Sequence, residues 1–469
     1  MFSLTNIVRR PRGFRGGVFL PRPTERAPVM PVQALADPPV LFVLMRQHEG
    51  SPATVCVEPG QTVHAGQRIG QAQEPEGLHV HSPVAGRVVA IARADSARLT
   101  DVPAVQIEPL VREGIPAPAP AVAAPATAVP VSTTAVPTSA MREAVPPPAA
   151  TLAHFIDAAE HAGLTDFQPR PGSLPALLRS AAGHVSHVII NTLPGEPVPF
   201  MPALDLDRDL QTIVRTGCNL GQMLHADRIW LTADRVDSGT LSRMRKVTRG
   251  TAMRVVGLAN KYPQHVPVLL AAAIAGVETP PGRTPLDIGV LVLEWRAVLA
   301  LAAAIGAPAS SDTYMTHVEI SVSGPAVLRP GCYRVPIGTP IEHILRQVGL
   351  RATVRRVIDG GPMTGQAVNH LGVVVTKRTS SLIGLDRTGE HVPSPGPCIR
   401  CGWCQEDCPV GLEPQALLDA AERGRWSAGR RLHPDACVEC GLCSYICPAE
   451  LPLAEGVARV RKACESGDL

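Results

Sequence analysis

Eight of the twelve cysteines stand in two short runs near the end of the chain. The first run, CIRCGWCQEDCP, begins at Cys398, and the second, CVECGLCSYICP, begins at Cys437. In each run three cysteines follow at intervals of three residues, a fourth comes four residues later, and a proline follows it. Cysteine thiolates are soft metal ligands, so clusters this tight indicate metal chemistry and not a disulfide framework.

The repeated C-x2-C-x2-C-x3-C-P spacing is typical of bacterial two-cluster ferredoxins. Three closely spaced thiolates hold three corners of one iron–sulfur cube, and in two-cluster folds the fourth cysteine serves the other cube. The spacing therefore predicts two [4Fe–4S] clusters that exchange one ligand each. The first cluster is assigned Cys398, Cys401, Cys404 and Cys447, and the second is assigned Cys408, Cys437, Cys440 and Cys443.

Zinc is the alternative metal for a cysteine-rich segment. Structural zinc sites favour two separated C-x2-C pairs around one tetrahedral ion. Both runs here add a third and a fourth cysteine and a proline, which favours iron–sulfur chemistry. The other four cysteines stand alone and are predicted to be small buried or inert thiols: Cys56, Cys218, Cys332 and Cys464.

Composition excludes several functions. A formal charge of +3 and an aromatic content of 3% give no support for nucleic-acid binding. No run of about 18 uncharged apolar residues is present, so any membrane association is predicted to be peripheral. The pair Arg9-Arg10 is not followed by an apolar segment, so an export signal is not predicted.

A chain of 469 residues should hold roughly three or four domains. The Ala/Pro/Val-rich residues 113–150 are predicted to be an extended, mobile linker after a β-rich domain at 1–112. Residues 151–315 are predicted to form an α/β domain, and 316–390 a β-grasp-like module. The cysteine zone, 391–469, is predicted to be mainly helical.

In the first domain, VEPGQTVHAGQ and SPVAGRVV are β-turn-β units that resemble the sandwiched barrel of biotinyl and lipoyl carrier domains. A carrier needs a lysine at a hairpin tip, but the first lysine in the chain is Lys246, so a structural or docking module is predicted. His64, His79 and His81 lack the spacing of a ligand set and are predicted to lie at the surface.

In the third zone, VSHVIIN, DRIWLTAD and AMRVVGLA are short strand candidates that alternate with helical segments. From His317 the pattern changes to a strand, a turn, a second strand and a short helix. The glycine-rich turn VIDGGPMTGQAV follows. No residue has a setting typical of a general acid, base or nucleophile, so no catalytic residue is predicted.

Taken in order, these motifs resemble the RnfC family, the C subunits of the Rnf ion-translocating ferredoxin:NAD oxidoreductases, whose central part resembles the flavoprotein subunit of respiratory complex I. The resemblance is carried by FRGGVFLP, the two β-turn-β units, YPQ, VPIGTPIEHIL, GGPMTG and both cysteine runs. It implies a barrel-sandwich hybrid, a Rossmann-like flavoprotein-type domain, an SLBB-like β-grasp module and a helical two-cluster domain. It also implies a peripheral electron-transfer subunit on the cytoplasmic face of the inner membrane, with the other complex subunits, NADH or ferredoxin as partners.

The resemblance further implies a central domain that binds FMN and NADH, but the loops concerned differ here. The family's glycine-rich G-x-G-G-x-x-F-P-T loop corresponds to TDFQPRPGSLPALL, which keeps only Gly172 and gains prolines. The family's E-C-E-P keeps Glu196 and Pro197, so Glu196 is the one candidate nucleotide-binding residue, and YPQGGEKQ appears as YPQHVPVLL.

A phosphate approaches backbone amides closely only where glycines leave room. The altered loops therefore argue against FMN and predict a cluster-bearing relay that has lost NADH oxidation. Divergent loops that still bind FMN are the first alternative. A soluble flavin-dependent reductase, similar to cobalamin reductases, and a scaffold stabilised by its clusters are the others.

Overall fold

The computed structural model describes residues 13–19, 31–110, 151–168, 172–183, 185–196, 209–259, 261–306, 315–388 and 393–466. The proposed linker at 113–150 and the Arg9-Arg10 pair lie outside these residues. Among the residues described, no helix is both long and apolar enough to cross a membrane.

Residues 41–109 form two small antiparallel sheets packed face to face, in the orders β2-β8-β7-β4 and β3-β5-β6. The strands are β2 Leu41–Leu44, β3 Thr54–Val55, β4 Thr62–Val63, β5 Arg68–Gln71, β6 Val80–His81, β7 Gly86–Ala94 and β8 Val102–Pro109. Alternating valines and isoleucines such as Val63, Val88 and Ile107 are fully buried between the sheets. The alternation of buried and exposed residues along β7 is the pattern expected of a half-buried strand.

Two histidines of this domain are not at the surface, and that part of the sequence prediction is wrong. His79 and His81 are buried, whereas His64 is exposed as expected. The His79 ring accepts the backbone N–H of Ala72 at 3.0 Å, and the turn at Gly163 of the next domain covers its backbone. The covering turn is distant in sequence, so spacing alone does not reveal it.

The middle of the chain forms a parallel sheet in the order β11-β10-β9-β12 with helices on both faces. Its strands are β9 His187–Asn191, β10 Arg228–Asp234, β11 Met253–Leu258 and β12 Val290–Glu294. Its helices are α1 Leu152–His161, α2 Leu174–Ala181, α3 Asp209–Met223, α4 Ser238–Val247, α5 Pro267–Ala275 and α6 Trp295–Gly306, with a 3-10 turn at Pro285–Ile288. The first three strands lie in the segments that the sequence predicts. The strand order reverses between β9 and β12, and ligands of such sheets bind outside the carboxyl ends of the strands at that point.

A third, six-stranded sheet has the order β1-β14-β13-β17-β15-β16. Its strands are β1 Val32–Ala34, β13 His317–Ser323, β14 Gly331–Pro336, β15 Val354–Asp359, β16 Gln366–Ala367 and β17 Ser381–Asp386, and helix α7 spans Ile341–Val348. Strand β1 comes from the start of the chain and pairs in parallel with β14, with Val32 opposite Cys332. Ala36 then exchanges two hydrogen bonds of 2.9 Å with the side chain of Gln347. This module therefore includes a segment from the N-terminal zone.

All regular structure in residues 393–466 is helical. The helices are α8 Trp403–Glu406, α9 Pro414–Glu422, α10 Trp426–Arg430, α11 Leu442–Tyr445 and α12 Leu453–Glu465, with a 3-10 turn at Pro434–Ala436. Helices α9 and α12 pack closely because Gly456 has no side chain; a Cβ there would lie 2.8 Å from the Leu418 Cα. Leu417 and Val460 are fully buried in this contact, which holds the two cysteine runs together.

Candidate iron–sulfur centre

The two cysteine runs have the same backbone conformation. Two residues after the first cysteine of each run, Arg400 and Glu439 both have a φ of 55°. This left-handed conformation turns each N–H toward the preceding thiol, with N···Sγ distances of 3.4 Å to Cys398 and 3.4 Å to Cys437. Backbone N–H groups directed at sulfur stabilise a charged thiolate, as a cluster ligand requires.

The structure brings Cys447, from the second run, to the first run. Burial raises the pKa of the Cys404 thiol, and the neighbouring Cys447, Cys401 and Cys398 thiols raise it further. These are the four cysteines that the sequence assigns to the first cluster.

The structure likewise brings Cys408 to the second run. Burial raises the pKa of Cys440 to about 12, and Cys437 and Cys408 add to the increase. Burial also raises the pKa of Cys443 to about 12, again with contributions from the other three thiols. The Cys408 sulfur accepts the N–H of Leu412 at 3.3 Å.

Within the described residues, no three His, Cys, Asp or Glu side chains are arranged to hold a metal ion. A cube of four irons and four sulfides is a larger body than one ion, so its four thiolates stand around it at wider separation. Two sets of four thiols, with backbone N–H donors to sulfurs of both sets, fit that group. Because thiols must lose their protons to bind iron, cluster loading releases protons.

The two sets differ in their access to solvent. Cys398 and Cys401 are exposed, and the first run also exposes Trp403 by 52%. At the equivalent place in the second run, Leu442 is only 1% exposed. The first set therefore reaches the molecular surface through Cys398 and Cys401, whereas all four cysteines of the second set are partly buried.

A cavity of about 2340 Å³ lies where the strand order of the parallel sheet reverses. Its wall includes all four thiols of the second set, Cys408, Cys437, Cys440 and Cys443, and none of the first. It also includes residues that end β9 and β12 or follow them closely. The cavity therefore connects the sheet's expected ligand site to the second set of thiols.

At or beside the cavity, polar groups near the strand ends are buried, as Asn191 is, or partly buried, as Glu294 and His265 are. Burial raises the pKa of Glu294 to about 7. Its carboxylate accepts the Asn191 side-chain N–H at 2.6 Å, and the same amide donates to the His265 carbonyl at 3.2 Å. Burial lowers the pKa of the His265 ring to about 4, so the ring is neutral. Sequence reasoning missed these three residues. For Asn191 and Glu294, their position at the carboxyl ends of the adjacent strands β9 and β12 was the available signal; His265, in the loop before α5, had none.

In the loop that corresponds to the family's flavin loop, the Asp166 side chain binds backbone amides. Burial raises the pKa of Asp166 to about 6. Its Oδ1 accepts the N–H of Gln168 at 3.1 Å and that of Gly172 at 2.9 Å. The amides of Gln168 and Gly172 are therefore already bound to a carboxylate and are not free to bind a phosphate.

Glu196, the candidate nucleotide-binding residue, lines the cavity. Its carboxylate accepts the N–H of Met363 at 3.0 Å and the hydroxyl of Thr364. Burial raises its pKa. In this structure Glu196 holds the GGPMTG turn, and Pro197 lies outside the described residues.

None of the four solitary cysteines is among the residues that line the cavity. Cys332 is buried in the six-stranded sheet, and Cys218 and Cys464 are partly buried, in keeping with small packed thiols. Cys56 is exposed.

Comparison with known families supports the predictions made for the N-terminal and the C-terminal part of the chain. Residues 12–110 match the RnfC barrel sandwich hybrid domain, which confirms the predicted N-terminal fold. Residues 396–451 match the 4Fe-4S dicluster domain, which confirms the prediction of two [4Fe–4S] clusters.

Relatives that align with most of this chain are C subunits of ion-translocating complexes. The C subunit of the ion-translocating oxidoreductase complex is 28% identical over 89% of this chain in Edwardsiella ictaluri and 30% identical over 86% in Pseudomonas aeruginosa. The chain covers 50% and 49% of those proteins, so it spans about half the length of these curated relatives. The C subunit of the Na(+)-translocating ferredoxin:NAD(+) oxidoreductase complex of Acetobacterium woodii is 26% identical over 88% of both chains.

A solved NAD+-reducing [NiFe]-hydrogenase in the H2-reduced state overlaps 67% of this chain and 61% of its own, with 15% identity and a TM-score of 0.46, too weak an overlap to argue from. The sequence relatives and the two matched domains together confirm the family resemblance. The chain is a homologue, over most of its length, of the RnfC-type C subunits of ion-translocating oxidoreductase complexes.

Proposed function

We propose that this chain relays single electrons through two [4Fe–4S] clusters as a peripheral subunit of an Rnf-type complex. One observation carries the proposal: the four thiols of the second set line the cavity, whereas Cys398 and Cys401 of the first set are exposed. One cluster would face an internal redox site and the other a partner protein. The exchange of Cys408 and Cys447 between the runs keeps the clusters adjacent, as electron transfer requires.

The ligand assignment is part of the proposal. The first cluster would be held by Cys398, Cys401, Cys404 and Cys447, and the second by Cys408, Cys437, Cys440 and Cys443. When bound, the clusters supply one-electron chemistry; the chain's own groups shield one cluster and leave the other accessible. The proton-accepting and nucleophilic groups that bond-breaking chemistry needs are not required for this role.

The other complex subunits are the proposed partners, with NADH or ferredoxin as the remote electron donor or acceptor. The proposed location is the cytoplasmic face of the inner membrane, with ion transport carried out by the partners. Relatives whose names include ion translocation motivate this assignment.

The proposed domains are 1–112, a docking module; 113–150, a linker; 151–315, a Rossmann-like domain of the complex I flavoprotein type; 316–390, an SLBB-like module; and 391–469, the cluster domain. The contribution of β1 to the six-stranded sheet supports a fixed attachment of the first module to the fourth.

The proposed relay contains no FMN. Asp166 binds two amides of the corresponding loop, and Glu294 places a second buried acid nearby. A phosphate dianion next to buried carboxyl groups is electrostatically unfavourable. Electrons would then reach the second cluster from another protein or from a ligand of different chemistry in the cavity.

The test is the composition and reduction of anaerobically purified protein. The proposal expects eight irons and eight sulfides per chain, no flavin, and EPR signals that appear with dithionite but not with NADH. Stoichiometric FMN with reduction by NADH would replace the relay with an NADH-oxidising subunit. Clusters that dithionite and stronger reductants leave unchanged would favour the scaffold.

A flavin-dependent reductase is the second candidate, and the size of the cavity favours it. A volume of about 2340 Å³ exceeds that of an ordinary small-molecule site and would admit a dinucleotide. Diaphorase activity of the purified chain, dependent on added flavin, would support this candidate over the relay.

A further inference from the structure

Tyr262 is a side chain of the cavity wall that also contacts the second cysteine run. Its ring lines the cavity and is 6% exposed. Its hydroxyl donates a hydrogen bond of 2.7 Å to the carbonyl oxygen of Cys440. The phenol therefore reaches the backbone of a proposed ligand of the second cluster.

The backbone of Tyr262 reaches the other part of the same ligand set. Tyr262 and Val18 exchange two backbone hydrogen bonds, of 2.8 and 3.1 Å. The adjacent Gly17 donates its N–H to the carbonyl of Asp407 at 2.8 Å, directly before Cys408. Tyr262 thus contacts Cys440 directly and is linked to Cys408 through the Gly17–Val18 segment.

This segment can approach Cys408 only because it contains glycine. A Cβ on Gly16, whose φ is 67°, would lie 2.8 Å from the Cys408 carbonyl oxygen. A Cβ on Gly17 would lie 2.6 Å from the Tyr262 carbonyl oxygen. The FRGG motif, whose role the sequence does not explain, therefore packs between Tyr262 and the second cluster site.

We propose that Tyr262 is a positioning residue that fixes the second cluster against the cavity and raises its reduction potential relative to the first cluster. This inference rests on the proposed two-cluster relay. The hydroxyl proton lies at the negative end of the Cys440 carbonyl dipole and offsets it. The electrostatic potential at the cluster is then less negative, so an added electron is stabilised and the reduced state is favoured. Hydrogen bonds and solvent exposure are general determinants of cluster reduction potentials.

The first cluster serves as the internal reference. Its exposed ligands, Cys398 and Cys401, are absent from the cavity wall that contains Tyr262. A change at Tyr262 should therefore move one potential and leave the other unchanged. A general loosening of the domain would move both.

The experiment is an EPR-monitored redox titration of the full chain carrying Tyr262→Phe, which keeps the ring and removes the hydroxyl. The second cluster's potential is expected to become more negative, with the first cluster's potential and the iron content unchanged. Tyr445→Phe is the matched control, because Tyr445 lies two residues after Cys443 but is 57% exposed. It should change neither potential.

If Tyr262→Phe fails to load iron, replacement of Tyr262 by 3-fluorotyrosine tests the effect of the hydroxyl on the second cluster's potential. This stronger hydrogen-bond donor should shift the second potential in the positive direction. Unchanged potentials, or equal shifts of both clusters, would overturn the role of Tyr262. Absence of two reducible clusters in the unmodified protein would instead overturn the relay on which the inference rests.

Discussion

The backbone of Gly441 lies directly against the carbonyl of Met363: a Cβ added to Gly441 would be 2.2 Å from that oxygen. Gly402 occupies the same place in the first cysteine run, and nothing lies within 4 Å of its added Cβ. Both glycines are in the left-handed region, with φ of 71° and 82°. The two runs therefore have the same spacing and backbone but very different surroundings.

Alanine at these two glycines should separate backbone strain from steric contact. The left-handed conformation costs roughly 1–2 kcal/mol for alanine at either position. Gly441→Ala must also displace Met363, so it should lower the iron content and weaken the second cluster's EPR signal. Gly402→Ala should keep both clusters and lose only about that strain energy in unfolding experiments. Equal iron loss in the two variants would contradict the packing described.

Serine substitutions should reveal the exchange of ligands between the runs. Cys408→Ser is expected to remove the same EPR signal as Cys437→Ser, because both thiols belong to the second set. Cys447→Ser should match Cys398→Ser instead. If Cys408→Ser removed the signal that Cys398→Ser removes, each run would hold its own cluster and the exchange would be wrong.

Oxidants should destroy the two clusters in sequence. The thiols of Cys398 and Cys401 are exposed, whereas all four thiols of the second set are partly buried. We expect brief exposure to air or ferricyanide to remove the first cluster's signal while the second persists. EPR of samples quenched anaerobically after increasing exposure gives the order. Earlier loss of the second cluster would show that the cavity, and not the outer surface, admits the oxidant.

The ionisation of Glu294 should make the free energy of unfolding depend on pH. The pKa of Glu294 is about 7 in the folded chain, above the ordinary value of 4.5. Between pH 4.5 and pH 7, the folded chain therefore keeps a proton on Glu294 that the unfolded chain has lost. The free energy of unfolding should therefore decrease as pH rises from about 4.5 to 7, by about 3 kcal/mol from this group. Glu294→Gln cannot ionise and should lack this decrease.

Denaturant unfolding at pH 5 and pH 8 measures the difference between wild type and Glu294→Gln. Glu278, an exposed residue of the cavity wall, provides the control variant Glu278→Gln. The control should follow the wild type at both pH values. An identical pH dependence in Glu294→Gln would show that Glu294 is not the responsible group.

Local spacing made part of this structure predictable. The cysteine runs and the strands β9, β10 and β11 follow from intervals of a few residues, because ligand geometry and strand burial act over that range. Contacts such as that of the Tyr262 hydroxyl with the Cys440 carbonyl join residues far apart in sequence. A single sequence carries no signal for such contacts, and the buried positions of His79 and His81 were missed for the same reason.

The pairing of β1 with β14 constrains when the six-stranded sheet can form during synthesis. Val32 leaves the ribosome 300 residues before its partner Cys332. At about 5–20 residues per second this interval is roughly 15–60 s. The strands β2 to β8 can pair with one another during that time, but β1 must wait. The first part of the chain is therefore joined to the middle late in translation, and premature termination before β14 would leave a β-strand edge available to aggregate.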